Sequence, residues 1–349
     1  MYKIKVLIVD DSSFARNIIS TYLKKYDDIE IVGGAADPFE ARDLIVKLQP
    51  DVITLDIEMP KMSGIDFIKV LMKHYPMPII VVSSVVSGNC EKSIRALELG
   101  AIDVFPKPTL ANNSKLTLIF DELHRKIVLA AKSKINLTLK RIETKSTNII
   151  STFQQFQNNN SEKIIAIGAS TGGTEAIRKI LEQLPANLPP IVISQHMPEG
   201  FTKSFANRLN QHCKNLNVYE AIDNEYLQPG TAVIAPGNFH LIIKRENFNY
   251  KTVLNQAPKV HYQRPAIDVM FSSIATVANK NTIGILLTGM GVDGAAGLLK
   301  IRQAGGRTIS QSKNSCVVYG MPREAELLNA SEFVLDLEDI PQKIIDLLN

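Results

Sequence analysis

Two doubly wound α/β units in tandem are what this sequence predicts, and three observations predict them. Short apolar runs alternate with amphipathic segments from about residue 3, the pattern fades beyond residue 132, and it restarts at Lys163. The chain has 349 residues, 45% of them hydrophobic, which is more than one core comfortably organises. Polar residues, many of them acidic, recur just after the apolar runs, where an open parallel sheet forms its ligand crevice.

In the first unit, "IKVLIVDD" reads as an apolar strand ending in acids, and "SFARNIISTYLKKY" has helical spacing. "IEIVGGA" is a second strand and "PFEARDLIVKLQ" a second helix. "DVITLDIEMP" is a strand closed by an acid and a proline turn, followed by the helix "GIDFIKVLMKHY". "PMPIIVVSSV" is an almost wholly apolar strand, "CEKSIRALELG" a helix stopped by glycine, and "AIDVFPKP" a short strand. "SKLTLIFDELHRKIVLAAKSK" completes the unit as a helix. Strands apolar on both faces and separated by helices imply a parallel sheet.

Residues 132–162 are rich in Asn, Gln, Ser, Thr and Lys, have weak periodicity, and read as a linker between a domain at 1–131 and one at 163–349. Beyond it "KIIAIGAS", "PPIVISQH", "TAVIAPG" and "NTIGILLTG" read as strands. "TEAIRKILEQL", "GFTKSFANRLNQH", "AIDVMFSSIATVAN" and "GAAGLLKIRQAG" read as helices. "FHLIIKRENFNYKTVLN" looks like a β-hairpin inserted between units, turning near Glu246-Asn247.

The net charge of +4 is mild and gives no case for a nucleic-acid partner. Cys90, Cys213 and Cys316 lie far apart with no metal-ligand spacing, so reduced thiols and a cytoplasmic location are expected. "MYKIKVLIVDD" runs straight into a strand, without the pattern of a signal peptide, and no apolar run is long enough to enter a membrane as a span.

Asp10 and Asp11 end the first strand, Asp56 the third, Ser83 the fourth and Lys107 the fifth. All fall at the carboxyl edge of the predicted sheet. Three clustered carboxylates repel one another unless a cation sits among them, and an all-oxygen set suits Mg²⁺ better than zinc. An Asp beside such an ion can attack a phosphoryl group. Any one of these acids could be a cap or a solvated strand end; five polar residues at five consistent positions could not all be. The pattern "LIVDDS…ITLDIEMPKMSG…VVSS…FPKP" resembles the flavodoxin-like receiver domain of two-component response regulators. The resemblance implies Asp56 as phospho-acceptor, and Asp10, Asp11, Asp56 and the backbone carbonyl of Glu58 as Mg²⁺ ligands. It also implies Ser83 and Lys107 as phosphoryl partners and a cis Lys107-Pro108 bond. Receivers usually carry an aromatic switch residue three before the lysine; here that residue is Val104, with Phe105 next.

In the second unit, "IIAIGASTGGTEAI" puts Ser170 between glycines just after a strand. Ser170 or Thr171 could cap the helix that follows. As a dinucleotide loop the stretch would need an acid at the end of the next strand, which ends instead in Ser194, Gln195 and His196. As a nucleophile Ser170 fits G-x-S-x-G and requires a base and an acid to orient it. His196 ends the next strand, and Asp293 follows the strand "IGILLTG". His240, after "APGNF", is the one rival base at a strand end, and Asp293 could instead cap "GAAGLLKI".

"AIGASTGGTEAI", "ISQHMPEGFTKSFANRLN", "TAVIAPGNFHL", "LLTGMGVDGAAGL" and "SCVVYGMPREA" together resemble the catalytic domain of the chemotaxis protein-glutamate methylesterases, the CheB family. The resemblance implies a serine hydrolase of the α/β class that cleaves glutamyl γ-methyl esters on the cytoplasmic helices of chemoreceptors. It also implies deamidation of receptor glutamines, and a chemotaxis histidine kinase as phosphodonor. Ser170 becomes nucleophile, His196 base and Asp293 orienter, with Met290 and Thr171 at the oxyanion hole and no cofactor for hydrolysis. Ala266 departs from the serine more usual in "RPAID". The rival from another class is a phosphorylation-gated binding protein with a degenerate hydrolase domain.

Overall fold

The computed structural model describes residues 2–107, 116–132 and 162–349. The expected linker, apart from its end residues Lys132 and Glu162, and the Lys107-Pro108 bond lie outside the described residues. The chain divides into two compact units, Met1–Ile135 and Asn136–Asn349.

The first unit alternates strand and helix: β1 (Ile4–Val9), α1 (Ser13–Leu23), β2 (Ile29–Ala35), α2 (Pro38–Leu48), β3 (Val52–Leu55), α3 (Gly64–His74), β4 (Ile79–Ser83), α4 (Ser87–Glu98), β5 (Asp103–Pro106) and α5 (Leu116–Lys132). The helices begin where side-chain oxygens accept otherwise unpaired N–H groups. Ser12 accepts from Ala15 N, Asp37 from Phe39 N and Glu40 N, and Ser63 from Asp66 N. The strands pair in the order β2-β1-β3-β4-β5, all parallel. This is the flavodoxin-like order, with its topological switch between β1 and β3. Ile8, Val82 and Phe105 of the sheet pack with Phe120, Leu123 and Ile127 of α5.

The second unit runs β6 (Ile164–Ala169), α6 (Gly173–Gln183), β7 (Ile191–Gln195), α7 (Phe201–His212), β8 (Asn217–Glu220), β9 (Thr231–Ile234), the hairpin β10 (His240–Glu246) and β11 (Asn249–Asn255), α8 (Ile267–Ala278), β12 (Thr282–Leu286), α9 (Ala295–Gln303), β13 (Arg307–Gln311), α10 (Met321–Leu327), β14 (Phe333–Leu335) and α11 (Ile340–Leu348). Seven parallel strands form one sheet in the order β14-β13-β12-β6-β7-β9-β8. The chain enters at β6, builds out through β7, then returns to place β12 on the other side of β6. The switch point is therefore the β6/β12 boundary, where Ser170 and Thr288 emerge. The hairpin turns at Asn247-Phe248, with Glu246 opposite Asn249, and Asn247 takes the left-handed conformation that asparagine tolerates. It lies on α8, where Ser273 Oγ accepts from Ile243 N at 3.0 Å.

Candidate functional site

Ser170 is the first residue past β6 and is held there by main-chain bonds. Its N–H donates to Thr288 O at 3.0 Å, and its carbonyl accepts from Gly173 N at 2.7 Å. The helix cap of α6 is Gly172, at φ 78°, with no side-chain cap bond, so Ser170 and Thr171 do not cap it. Gly289 presses its Cα against the serine: a Cβ there would lie 2.6 Å from Ser170 Cβ. Ser170 is half-buried, and its hydroxyl makes no hydrogen bond to His196 in this resting geometry.

His196 follows β7, with its N–H on Ala169 O at 3.0 Å. Its Nε2 lies 2.8 Å from Asp293 Oδ2, and its Nδ1 is buried without a hydrogen-bond partner among the described residues. Asp293 does not cap α9, whose cap is Gly294. It serves the start of α8 instead, where Oδ2 accepts from Ile267 N at 2.8 Å and Oδ1 from Asp268 N at 2.9 Å. The residue before these, Ala266, has no side chain able to cap, so a carboxylate from another element takes the free N–H groups. Burial pushes the Asp293 pKa up. The hydrogen bond and charge of His196, with the two N–H donors, outweigh it and hold Asp293 below its ordinary value. The rival His240 is fully engaged in structure: Nδ1 accepts from Ala266 N at 3.2 Å and Nε2 donates to Pro258 O at 3.1 Å.

Met290 sits beside the serine turn, and its N–H donates to no group among the described residues. The preceding carbonyl, Gly289 O, accepts from Gly320 N and Met321 N. A trans peptide points its N–H opposite its C=O, so Met290 N–H is turned away from α10. The Thr171 carbonyl accepts from Thr288 Oγ1 at 3.1 Å. Gln195, Thr288 and Gln311 were not singled out by the sequence reading. Thr288 Oγ1 accepts from Val318 N at 2.9 Å, and Thr288 N donates to Gln311 Oε1 at 2.8 Å. Both glutamines are the last residues of strands that end Ile-Ser-Gln, and a long buried amide there was the available signal.

In the first unit, Lys107 Nζ lies 2.7 Å from Asp56 Oδ2 and 2.9 Å from Asp10 Oδ2. Carboxylate oxygens of Asp10, Asp11 and Asp56 fall within 4.8 Å of one another, with Asp10 and Asp56 buried. Burial pushes the Asp56 pKa up; Lys107 opposes this, nearby Asp10 adds to it, and the balance is upward. Burial would lower the Lys107 pKa, but its bonds to Asp10 and Asp56 raise it overall. Ser83 Oγ is buried with no hydrogen-bond partner among the described residues. Glu58 turns its side chain to Lys92 at 3.1 Å, which leaves only its main chain for the cluster. Val104 and Phe105 are both buried, so no aromatic side chain occupies the usual switch position. Three carboxylates against one ammonium leave an excess of negative charge on hard oxygen donors. Such a set fits a divalent cation of the Mg²⁺ type.

Cys90 and Cys213 are buried and Cys316 half-buried, all as free thiols; burial pushes Cys213 and Cys316 up to about 12. No helix among the described residues is long and apolar enough to cross a membrane.

The family model for CheB methylesterase matches residues 165–344, and that for the response regulator receiver domain matches residues 6–119. The chain belongs to the CheB methylesterase family. A relative from Syntrophus aciditrophicus, named protein-glutamate methylesterase/protein-glutamine glutaminase 2, is 47% identical, covering 99% of both chains. One from Pectobacterium atrosepticum, protein-glutamate methylesterase/protein-glutamine glutaminase, is 48% identical over 99% of this chain and 97% of its own. Among solved structures, the CheB methylesterase catalytic domain of Thermotoga maritima is 42% identical, covering 53% of this chain and 98% of that one, with a TM-score of 0.52.

Proposed function

We propose that this chain is a phosphorylation-controlled protein-glutamate methylesterase and glutaminase of chemotaxis. Residues 1–131 form its receiver, 132–162 its linker and 163–349 its catalytic domain. The observation that carries the reading is the His196 Nε2–Asp293 contact beside the Ser170 turn at the sheet's switch point. An ionised Asp293 keeps the proton on Nε2, so the remaining lone pair is on Nδ1, the nitrogen with no partner.

Hydrolysis follows from these groups. Ser170 Oγ attacks the ester carbonyl as its proton passes to Nδ1 of His196, a contact that closes as substrate enters. Met290 N–H, with Thr171 N–H, faces the developing oxyanion; one such donor is worth about 3–4 kcal/mol. Methanol leaves with the proton from Nδ1, or ammonia where the substrate is a glutamine. Water then repeats the cycle on the acyl-enzyme and releases glutamate. Asp293 stays ionised throughout and stabilises the imidazolium.

Asp56 is the phospho-acceptor, with a histidine kinase as donor. Asp10, Asp11, Asp56 and the Glu58 carbonyl would hold Mg²⁺, which supplies positive charge for phosphoryl transfer to a carboxylate. Lys107 and the unpartnered Ser83 hydroxyl meet the phosphoryl oxygens. The substrates are methylated glutamates on cytoplasmic helices of chemoreceptors, so the enzyme works in the cytoplasm. The test is methanol and ammonia release from a methylated receptor fragment, with and without a small phosphodonor and Mg²⁺. No release of either under any condition would remove the reading.

A further inference from the structure

Gln195 closes β7 after Ile191, Val192, Ile193 and Ser194, and it is 2% exposed. A buried amide is unfavourable unless its hydrogen bonds are made. Its Nε2 donates to Ser170 O at 2.9 Å and to His196 O at 3.1 Å. Both acceptors are carbonyls, which have no hydrogen to give, so the amide must present its NH₂ end to them. Its Oε1 is buried without a hydrogen-bond partner among the described residues and rests against Gly173, where a Cβ would lie 2.3 Å from it. An apolar side chain of the same length would avoid that unpaired oxygen. What only the amide supplies is one short bridge between the turn carrying the nucleophile and the residue carrying the base.

We infer that Gln195 is a positioning residue for the proposed hydrolysis, setting the Ser170 and His196 turns in register and aiming the Thr171 N–H. The inference rests on the assignment of Ser170 and His196 above. The Ser170 carbonyl is pinned from two sides, by Gly173 N at 2.7 Å and by Gln195 Nε2 at 2.9 Å. The N–H of the same trans peptide, that of Thr171, must then point the opposite way. This repeats the arrangement at Gly289-Met290, where a pinned carbonyl also fixes the direction of the next N–H. With the amide gone, Gly173 alone fixes the Ser170 peptide, and the His196 carbonyl loses its link to it. Substrate binding by more distant surfaces is untouched, so the loss falls on turnover rather than on affinity. A displacement of catalytic groups on the scale of 1 Å costs about 100-fold.

The experiment uses the full chain with a small phosphodonor and Mg²⁺. It measures methanol release from a methylated receptor fragment, the rate at which a fluorophosphonate labels Ser170, and the thermal midpoint. Gln195→Met keeps length and volume and removes the donor. It is expected to lower kcat about 10- to 100-fold with KM within about twofold, to slow labelling in parallel, and to leave the midpoint within a few degrees. Gln195→Leu removes the same donor with a branched apolar side chain and should show the same split. If Gln195→Met unfolds, Gln195→Leu decides. Wild-type kcat and labelling in a folded variant would overturn the inference, as would a loss that only tracks the unfolded fraction. Ser170→Ala run alongside separates the two layers: turnover in that variant would defeat the esterase assignment itself, whatever Gln195 does.

Discussion

Ser170→Ala and His196→Ala are each expected to abolish methanol release while leaving the circular-dichroism spectrum intact. Ser170 is half-buried and caps no helix, so removing its hydroxyl takes away chemistry rather than packing; the His196 side chain is 6% exposed, so its removal also costs some packing and its spectrum is the stricter control. Asp293→Asn should keep the acceptor for Asp268 N but present an NH₂ to His196, favouring the wrong tautomer, and take away the acceptor that Ile267 N shares with His196; a loss on the order of 10³–10⁴ in kcat is expected. Turnover near wild type in Ser170→Ala would remove the nucleophile assignment. In the receiver, Asp56 gives a stability test with a definite sign. Its folded-state pKa is raised, so the folded state binds that proton more tightly than the unfolded chain. Stability from this group is therefore lost as pH rises from the ordinary carboxylate range through the raised value. At pH 7 the buried charge opposes folding, and Asp56→Asn should raise the receiver's thermal midpoint by a few degrees, a gain that vanishes below about pH 4. Equal midpoints at pH 7 would mean that Lys107 already cancels the cost. Ser170, His196 and Asp293 were legible because each directly follows an apolar strand or its short tail. The tautomer was not, since which imidazole nitrogen meets Asp293 depends on how β7 and α8 approach each other.

The elements around the serine explain why the loop after β12 cannot change. Gly289→Ala would place a Cβ 2.6 Å from Ser170 Cβ and 2.7 Å from Met321 Sδ. One neighbour is the proposed nucleophile and the other is buried at the start of α10, so the loop itself must move and carry Met290 N–H with it. The expected result is a kcat loss of at least about 100-fold, with a folded chain by hydrogen exchange. Retained activity would show that the oxyanion is held elsewhere. The strands and helices that form the sheet centre were readable from periodicity, and β2, with seven residues of "IEIVGGA", matched to the residue. β8, β13 and β14 were missed. β8 and β14 are edge strands of four and three residues with mixed exposure, and β13 follows two glycines with few apolar letters. α4 starts at Ser87, three residues before the expected Cys90, because its cap, Val86, carries no capping side chain to mark it. α10 has only seven residues, too few to display a period.

At the scale of the whole chain, one question is how the state of Asp56 reaches Ser170. Each unit has its own buried core and its own sheet, so neither needs the other to assemble its site. Control must then act as a shift between populations of the intact chain that differ in turnover. Phosphorylation of Asp56, as proposed, would add about two negative charges beside Asp10 and Lys107, where one half-buried ammonium now faces two buried carboxylates. In the proposed mechanism Lys107 and Ser83 turn to the phosphoryl oxygens, which would repack the β4 and β5 ends that carry them. Only a state that senses this difference can be favoured by it. Val104 offers no aromatic ring to rotate, so the signal has to leave through those strand ends. The expected outcome is that a fragment from about Ser161 to Asn349 turns over faster than the unphosphorylated full chain. The phosphorylated full chain should match or exceed the fragment, and Asp56→Asn should hold the full chain at its low rate with or without phosphodonor. EDTA should block both the labelling of Asp56 and the activation; the proposed hydrolysis by Ser170 involves no metal, so the fragment's rate is expected to stay unchanged. Moving from mostly restrained to mostly active requires a differential free energy of a few kcal/mol, so a rate ratio of about 10- to 100-fold is within reach of one phosphoryl group. Equal rates for the fragment and the unphosphorylated chain, measured on a soluble receptor fragment, would show that the receiver does not restrain the esterase and serves only to bring it to its substrate.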